Sequence, residues 1–183
     1  MFVKRCVLAL AIAAMPTAAD CAADQVFFGY LSGANEQPLP VASPGNGFAL
    51  VTYSPGTAMM RVQVTFASLT AGTSASHIHC CFSPPTTTTA GVATTLPSFA
   101  GFPLGVTAGA YDNTLDMTNA TSYSPAFVTA QGGIAAALNA LLTGMTNGTA
   151  YFNIHTTMFP AGEIRANMKP DAVFANGFEQ AAG

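Results

Sequence analysis

The chain has 183 residues, of which 50% are hydrophobic and only 7% are charged, with a formal net charge of −3. This length suits one domain with a real hydrophobic core, and so few basic groups exclude an electrostatic surface for nucleic acid or for an anionic membrane. We expect a protein that takes its solubility from Thr, Ser, Asn and Gly rather than from charge.

The first 23 residues have the pattern of a secretory signal peptide. Lys4 and Arg5 precede an apolar run, Cys6–Met15, that is too short to span a bilayer and is followed by small residues. We expect cleavage after Ala19 or Ala23 and export to the periplasm or the extracellular space, with a leader of bacterial type. No later run reaches the roughly 20 apolar residues of a membrane helix, so no membrane span is predicted.

Short strands dominate the first half of the chain. The clearest is Met60–Phe66, where apolar and polar residues alternate strictly, as in a half-buried strand. The strand-like runs are Gln25–Ser32, Gly47–Ser54, Ala58–Ser68, Ala75–Cys81, Ala150–Thr156 and Glu163–Met168. Short strands at this spacing predict an all-β fold, either an antiparallel sandwich or a barrel.

The middle of the chain departs from this pattern. Phe82–Tyr123 is rich in Thr, Pro and Gly and has no sustained periodicity, apart from a short strand expected near Thr114–Thr118. So long a loop is uncommon in a compact domain, so we expect it to wrap over the sandwich. Beyond it, four apolar residues recur at helical spacing and predict one short helix that ends before Gly144. They are Ile134, Leu138, Leu141 and Leu142.

The end of the chain shows no packing pattern. Residues 169–183 have neither strand alternation nor helical periodicity, so we expect a flexible tail there. The chain is thereby divided into a signal peptide over residues 1–23, one β domain over residues 24–168 and a tail over residues 169–183.

All three histidines lie in two similar strand-like stretches. Because side chains alternate along a strand, His77 and His79 point to the same side. Tyr151, Asn153 and His155 likewise share one side of the later stretch. A hairpin between this stretch and Glu163–Met168 would have a polar and an apolar face. The expected pairs are His155 with Glu163, Asn153 with Arg165, and Ile154 with Ile164.

A first interpretation of this polar surface is a metal site. Two histidines at positions i and i+2 of a strand, with a third from a neighbouring strand, form the three-nitrogen set of open zinc or copper sites. His77, His79 and His155 would bind one copper or zinc ion, and Glu163 would orient His155 through its second ring nitrogen.

The second interpretation is structural. Histidine, asparagine, glutamate and arginine side chains can satisfy one another's hydrogen bonds across strands. In this network Arg165 pairs with Glu163 or Glu36, Asn153 joins it from the hairpin, and Asn35 helps to close it. We weigh this interpretation slightly above the metal site.

Two adjacent cysteines follow His79 directly. In an oxidising compartment Cys80 and Cys81 can form a vicinal disulfide, or one of them can pair with Cys21 if the latter is retained. They can also be two small apolar side chains at a strand end. Because Cys81 shares the side of His77 and His79, a thiolate ligand also stays open.

Four motifs in order resemble the CHRD domain, a domain named from chordin that occurs in many secreted bacterial proteins. They are Leu31–Pro38, Ser76–His79, Ala150–Thr156 and Pro160–Arg165. The resemblance covers Gln25–Met168 and implies an immunoglobulin-like, all-β extracellular domain. By analogy with chordin, a secreted binder of growth factors, it implies a module that binds a protein or a component of the envelope or extracellular space.

Motifs for catalysis are missing from the sequence. It has no nucleophile elbow, no paired-carboxylate motif and no phosphate-binding glycine loop. We therefore expect a secreted, non-catalytic binding or structural module, with a copper- or zinc-binding protein as the alternative.

Overall fold

The computed structural model describes residues 22–84 and 87–171. Its strands form one antiparallel sheet that curls into a half-barrel and is accompanied by only two short helices. The all-β class is therefore confirmed, in a form nearer to a barrel than to two stacked sheets. The expected signal peptide lies outside the described residues except for Ala22 and Ala23.

The sheet contains eight strands in the described part of the chain. They are β1 (Gln25–Ser32), β2 (Asn46–Ser54), β3 (Met59–Ala67), β4 (Thr73–His79), β5 (Gly109–Asp116), β6 (Tyr151–Thr156), β7 (Ile164–Asn167) and β8 (Lys169–Pro170). Their order across the sheet is β4-β6-β7-β1-β2-β3-β5, and β8 pairs with β1. The two histidine strands, β4 and β6, are thus neighbours at one side of the sheet.

One face of the sheet carries the hydrophobic core. The alternation predicted for β3 buries its apolar residues on this face, while Arg61 between them is exposed. Each buried side chain of this size contributes roughly 1.5–3 kcal/mol to folding. The buried residues of β3 are Met60, Val62, Val64 and Phe66.

Two helices precede β6, where the sequence predicted one. The predicted helix, α2 (Ile134–Thr146), continues through Gly144 instead of ending before it. The other helix, α1 (Pro125–Gln131), begins with a proline in its first turn and ends at Gly132, whose φ is 85°. It was missed because seven residues that bury only Phe127 give no measurable periodicity.

The helices of the described residues were compared with the length and composition that a membrane span requires. Among the described residues no single helix has both the length and the apolar composition to cross a bilayer. Only α1 and α2 taken together, with a bend of 94° between them, meet those two criteria.

Two boundaries differ from the sequence prediction. The strand expected near Thr114–Thr118 lies earlier, as β5, because its buried residues Tyr111 and Leu115 pack into the core. The tail expected from Lys169 begins as β8, which pairs with Phe27 and Phe28 of β1. The sheet therefore extends past the predicted end of the domain, and residues 172–183 lie outside the described part.

The hairpin of β6 and β7 has the register that the sequence predicted. Asn153 pairs with Arg165, and Ile154 pairs with Ile164. The polar face of this hairpin is covered by the segment between β4 and β5, as expected of the long loop. Arg165 Nη2 donates to the Thr88 carbonyl at 2.7 Å, for example. All six residues of β6 are buried, and those on its other face, such as Phe152 and Ile154, lie in the hydrophobic core.

Candidate metal centre

Strands β4 and β6 bring the three histidines together on the polar face of the sheet. His77 is paired with Asn153 and Ala75 with His155, so that the imidazoles project from adjacent strands to the same side. Their ring centroids are 5.3 to 5.7 Å apart. One ring nitrogen from each of His77, His79 and His155 lies within 4.8 Å of the other two. All three residues are buried.

Each imidazole is tied to one backbone carbonyl. The contacts are His77 Nε2 to Pro97 O at 2.5 Å, His79 Nδ1 to Ala90 O at 3.0 Å, and His155 Nδ1 to Pro160 O at 3.0 Å. Because a carbonyl only accepts hydrogen bonds, the ring nitrogen beside it carries the hydrogen. In a neutral ring the lone pair then belongs to the other nitrogen.

Two of the three remaining nitrogens face each other. His77 Nδ1 lies 3.4 Å from His155 Nε2. With both rings neutral, these two atoms are acceptors and no hydrogen lies between them. His79 Nε2 is buried and has no hydrogen-bond partner within the described residues. Buried polar atoms are nearly always satisfied, so this centre is suited to a positive charge that the protein itself does not supply.

Burial keeps the three imidazoles uncharged at neutral pH. It lowers the pKa of His79 to about 4, although the Ala90 carbonyl opposes the shift, and the other two imidazoles and Arg165 lower it further. Burial also lowers the pKa of His77 and of His155. Neutral imidazole is the form that binds metal ions.

Tyr151 forms one wall of the centre. Its ring stacks on the imidazole of His79, and its hydroxyl donates to the Ala90 carbonyl at 3.2 Å, the same carbonyl that holds His79. The guanidinium carbon of Arg165 lies 3.5 Å from the centroid of the Tyr151 ring. The alternation of β6 already placed Tyr151 on the histidine side, but its stacking was not predicted.

The loop before β2 closes the polar face as expected. Asn153 Nδ2 donates to Glu36 Oε1 at 2.6 Å, and Asn35 Nδ2 donates to the Arg165 carbonyl at 3.0 Å. Burial raises the pKa of the Glu36 carboxyl to about 7, against opposing effects of Asn153 and Arg165. Asn153 is thus hydrogen-bonded to Glu36, a residue of the polar network that the sequence suggested.

The buried ion pair expected for Arg165 does not form. Among the described residues the direct salt bridge joins exposed Arg61 and Asp112, at 2.5 Å. Arg165 is 1% exposed and instead donates to the Thr88 carbonyl and to Asn167 Oδ1. Its guanidinium lies against the Tyr151 ring, and its Nη1 is buried without a hydrogen-bond partner among the described residues.

Glu163 does not reach His155, contrary to the sequence prediction. Its buried carboxylate accepts hydrogen bonds from Ser43 Oγ at 2.6 Å, from the Thr70 amide at 2.6 Å and from Thr156 Oγ1 at 2.7 Å. Burial raises the pKa of the Glu163 carboxyl, but these hydrogen bonds outweigh it and hold the pKa below its usual range. The loop after β6 brings the Pro160 carbonyl to His155 instead.

Cys80 and Cys81 form the vicinal disulfide that the sequence allowed. Both sulfurs lie against α2, at 3.6 and 3.4 Å from the Ala140 carbonyl. The prediction of a thiolate ligand from Cys81 is therefore wrong, because its sulfur is bonded to Cys80 and lies against α2. The alternative pairing with Cys21 falls on a residue outside the described part of the chain.

A family comparison covers this same region. The model of the CHRD domain matches residues 27–168, which is most of the chain. The chain belongs to the CHRD domain family. The CHRD match contains both histidine strands and the hairpin of β6 and β7, and CHRD is an extracellular-type domain. No curated protein and no solved structure shows significant similarity to the chain.

Proposed function

We propose that this CHRD domain is an exported, non-catalytic module that binds one copper or zinc ion between His77, His79 and His155. One observation carries the proposal. The three rings each bring one nitrogen within 4.8 Å of the other two, and each ring also donates from one nitrogen to a backbone carbonyl. Metal-bound histidines almost always make this second hydrogen bond, which fixes the tautomer and the orientation of the ring.

The ligand set favours copper or zinc over calcium or magnesium. Imidazole nitrogen suits copper and zinc, whereas calcium and magnesium require several oxygen ligands. The nearby carboxylates of Glu36 and Glu163 make hydrogen bonds to other groups. Three protein ligands leave a fourth position of a tetrahedral site open, for water or for an external ligand.

A purely structural role explains the histidines less well than a metal does. In a structural network each buried polar atom has a partner, but His79 Nε2 has none in the described residues. The contact of 3.4 Å between His77 and His155 also joins two acceptors. A bound cation would satisfy all three nitrogens together. The structural interpretation, which the sequence slightly favoured, therefore becomes the second choice.

An oxidising compartment suits the rest of the chain. The leader-like first 23 residues, the disulfide between Cys80 and Cys81 and the extracellular-type domain all support export. Outside the cytoplasm such a module would store copper or zinc, or present it to a protein of the envelope or extracellular space.

Metal analysis of the purified protein tests this proposal. Protein prepared without a histidine tag is loaded with Cu²⁺ or Zn²⁺, dialysed and analysed for metal, and we expect about one ion per chain. A variant with His77, His79 and His155 all changed to alanine should retain none. The matched control is Asp112→Asn, an exposed site that should keep the full stoichiometry. Equal metal in the triple variant, with its fold verified by circular dichroism, would refute the proposal.

A further inference from the structure

Three aromatic rings form a ridge on the central strands β1 and β2, on the same face of the sheet as Arg165 and the histidines. Phe28 and Tyr30 of β1 and Phe48 of β2 have ring centroids 5.1 to 6.3 Å apart. Tyr30 is 71% exposed. Contiguous apolar surface of this kind on a protein marks an interaction site more often than a single exposed side chain does. The metal proposal makes no use of this ridge.

Cavities border the ridge at both of its ends. Phe28 and Tyr30 line a cavity of about 530 Å³, and Phe48 lines a second one of about 420 Å³. Both volumes are in the usual range of ligand sites. Amide side chains line the larger cavity as well, from Asn35, Gln37 and Asn167. Asn35 Nδ2 already donates to the Tyr30 and Arg165 carbonyls, and Asn167 Oδ1 accepts from Arg165. The Asn35 oxygen, the Asn167 Nδ2 group and the exposed Gln37 amide therefore remain to hydrogen-bond the hydroxyl groups of a ligand.

Two of the three basic residues in the described part of the chain line the larger cavity. Of the three basic residues described, Arg61 is paired with Asp112. The other two, Arg165 and Lys169, both line the larger cavity and make no ion-pair contact with a described carboxylate. Lys169 is exposed and can touch a ligand, whereas Arg165 is buried and adds positive potential from the wall. A ligand with a negative group complements this end of the surface.

Other classes of ligand fit this surface less well. A peptide cannot add to β1 or β2 as a further strand, because both strands already have neighbours on each side. Nucleic acid requires far more basic groups than the three described here. An aliphatic lipid would offer no complementary polar group to the exposed side chains of Gln37 and Lys169. Recognition must therefore use rings, amides and the two cationic side chains together.

We propose that the ridge and its larger cavity bind a polysaccharide that contains uronic acid. The apolar C–H face of a pyranose ring would lie on Tyr30 and Phe28, and its hydroxyls would pair with the amides. The carboxylate would pair with Lys169 within the positive potential of Arg165. No histidine lines the larger cavity, but Arg165 connects the cavity to the metal centre through its contact with the Tyr151 ring.

Titration calorimetry with oligomers of galacturonate and of mannuronate tests the proposal, with neutral galactose and mannose oligomers as matched ligands. We expect the acidic oligomers to bind at least about tenfold more tightly than the neutral ones, and less tightly as salt increases. Tyr30→Ala and Lys169→Gln should each weaken binding by roughly tenfold. Met158→Ala, at another exposed apolar residue, should bind like the original chain.

Three results would overturn the proposal. The first is that neither acidic oligomer binds. The second is that neutral oligomers bind equally well, or that Tyr30→Ala and Lys169→Gln leave the affinity unchanged. The third is a dimer in sedimentation that Tyr30→Ala abolishes, which would assign the ridge to a second copy of the chain. Circular dichroism of each variant separates loss of the site from loss of the fold.

Discussion

The imidazole of His79 lies parallel to the ring of Tyr151, with ring centroids 4.7 Å apart and planes inclined by 3°. The two residues are directly paired between β4 and β6, so the backbone register sets the stack. His79 Nδ1 and the Tyr151 hydroxyl also bond to the same Ala90 carbonyl. The imidazole plane of His79 is therefore fixed before an ion binds. This lowers the conformational entropy that the side chain loses on metal binding.

Removing the Tyr151 ring should weaken metal binding without removing a ligand. We expect Tyr151→Ala to lower the affinity for copper or zinc by about 10- to 100-fold, as is usual when a group that orients a ligand is lost. Tyr151→Phe keeps the stacked ring and should stay much closer to the original affinity. Competition with a chromophoric chelator measures both. Unchanged affinity in folded Tyr151→Ala would show that the stack does not position His79.

Glu163 should contribute to stability rather than to metal binding. Glu163→Ala leaves the Ser43 and Thr156 hydroxyls and the Thr70 amide without their acceptor, so we expect the free energy of unfolding to fall by about 3–5 kcal/mol in urea titrations.

The control is Asp112→Asn, which breaks an exposed ion pair with Arg61 and should cost at most about 1 kcal/mol. Folded Glu163→Ala should still hold its ion. Loss of the ion from the folded variant would indicate that Glu163 orients His155. The sequence predicted that contact, and the structure does not contain it.

Glu36 should make stability fall as pH rises. Its carboxyl has a pKa of about 7 in the folded protein and about 4.5 when exposed, as in an unfolded chain. Between these values the folded state holds a proton that the unfolded state has released, so the free energy of unfolding decreases from about pH 4.5 to 7. Asn153 and Arg165 face this carboxyl, and both act against the shift, which burial dominates.

The matched variant is Glu36→Gln, which keeps an acceptor for Asn153 but cannot ionise. In chelator-treated protein it should gain roughly 1–3 kcal/mol over the original chain at pH 8 and little at pH 4. Urea unfolding of both proteins across this range provides the comparison. A stability difference that does not vary with pH would contradict the raised pKa of Glu36.

Gly144 should be intolerant of a side chain although it lies within a helix. A Cβ there would be 2.5 Å from Cys80 Sγ and 2.7 Å from Cys81 Sγ. Alanine normally stabilises a helix by about 1 kcal/mol relative to glycine, but overlap in a packed core costs about 1–3 kcal/mol. We expect Gly144→Ala to lower the thermal midpoint. Gly56→Ala, which meets nothing within 4 Å, is the control, and an unchanged or raised midpoint for Gly144→Ala would disprove the close packing.

The strands around the histidines could be predicted because local patterns determine them. Strict alternation defined β3, and the spacing of polar residues set the pairs of Asn153 with Arg165 and of Ile154 with Ile164. Alternation also put His77 and His79 on one side of β4, but the convergence of all three histidines depends on the pairing of β4 with β6.

The partners of the site residues could not be predicted in this way. Glu163 binds Ser43 and Thr70, which are 120 and 93 residues away along the chain, and no local pattern encodes such contacts. The groups that orient the imidazoles are backbone carbonyls, such as that of Pro97, which any residue type can supply. The Tyr151 stack depends on the pairing of β4 with β6, which the sequence did not fix.

Anomalous diffraction from crystals of metal-loaded protein, recorded at the copper and zinc absorption edges, is the most direct test of the three-histidine metal site. We predict one peak per chain, within about 2.0–2.1 Å of His77 Nδ1, His79 Nε2 and His155 Nε2. Loaded crystals with no peak between these three nitrogens, or with a peak at the opposite ring nitrogens, would contradict it.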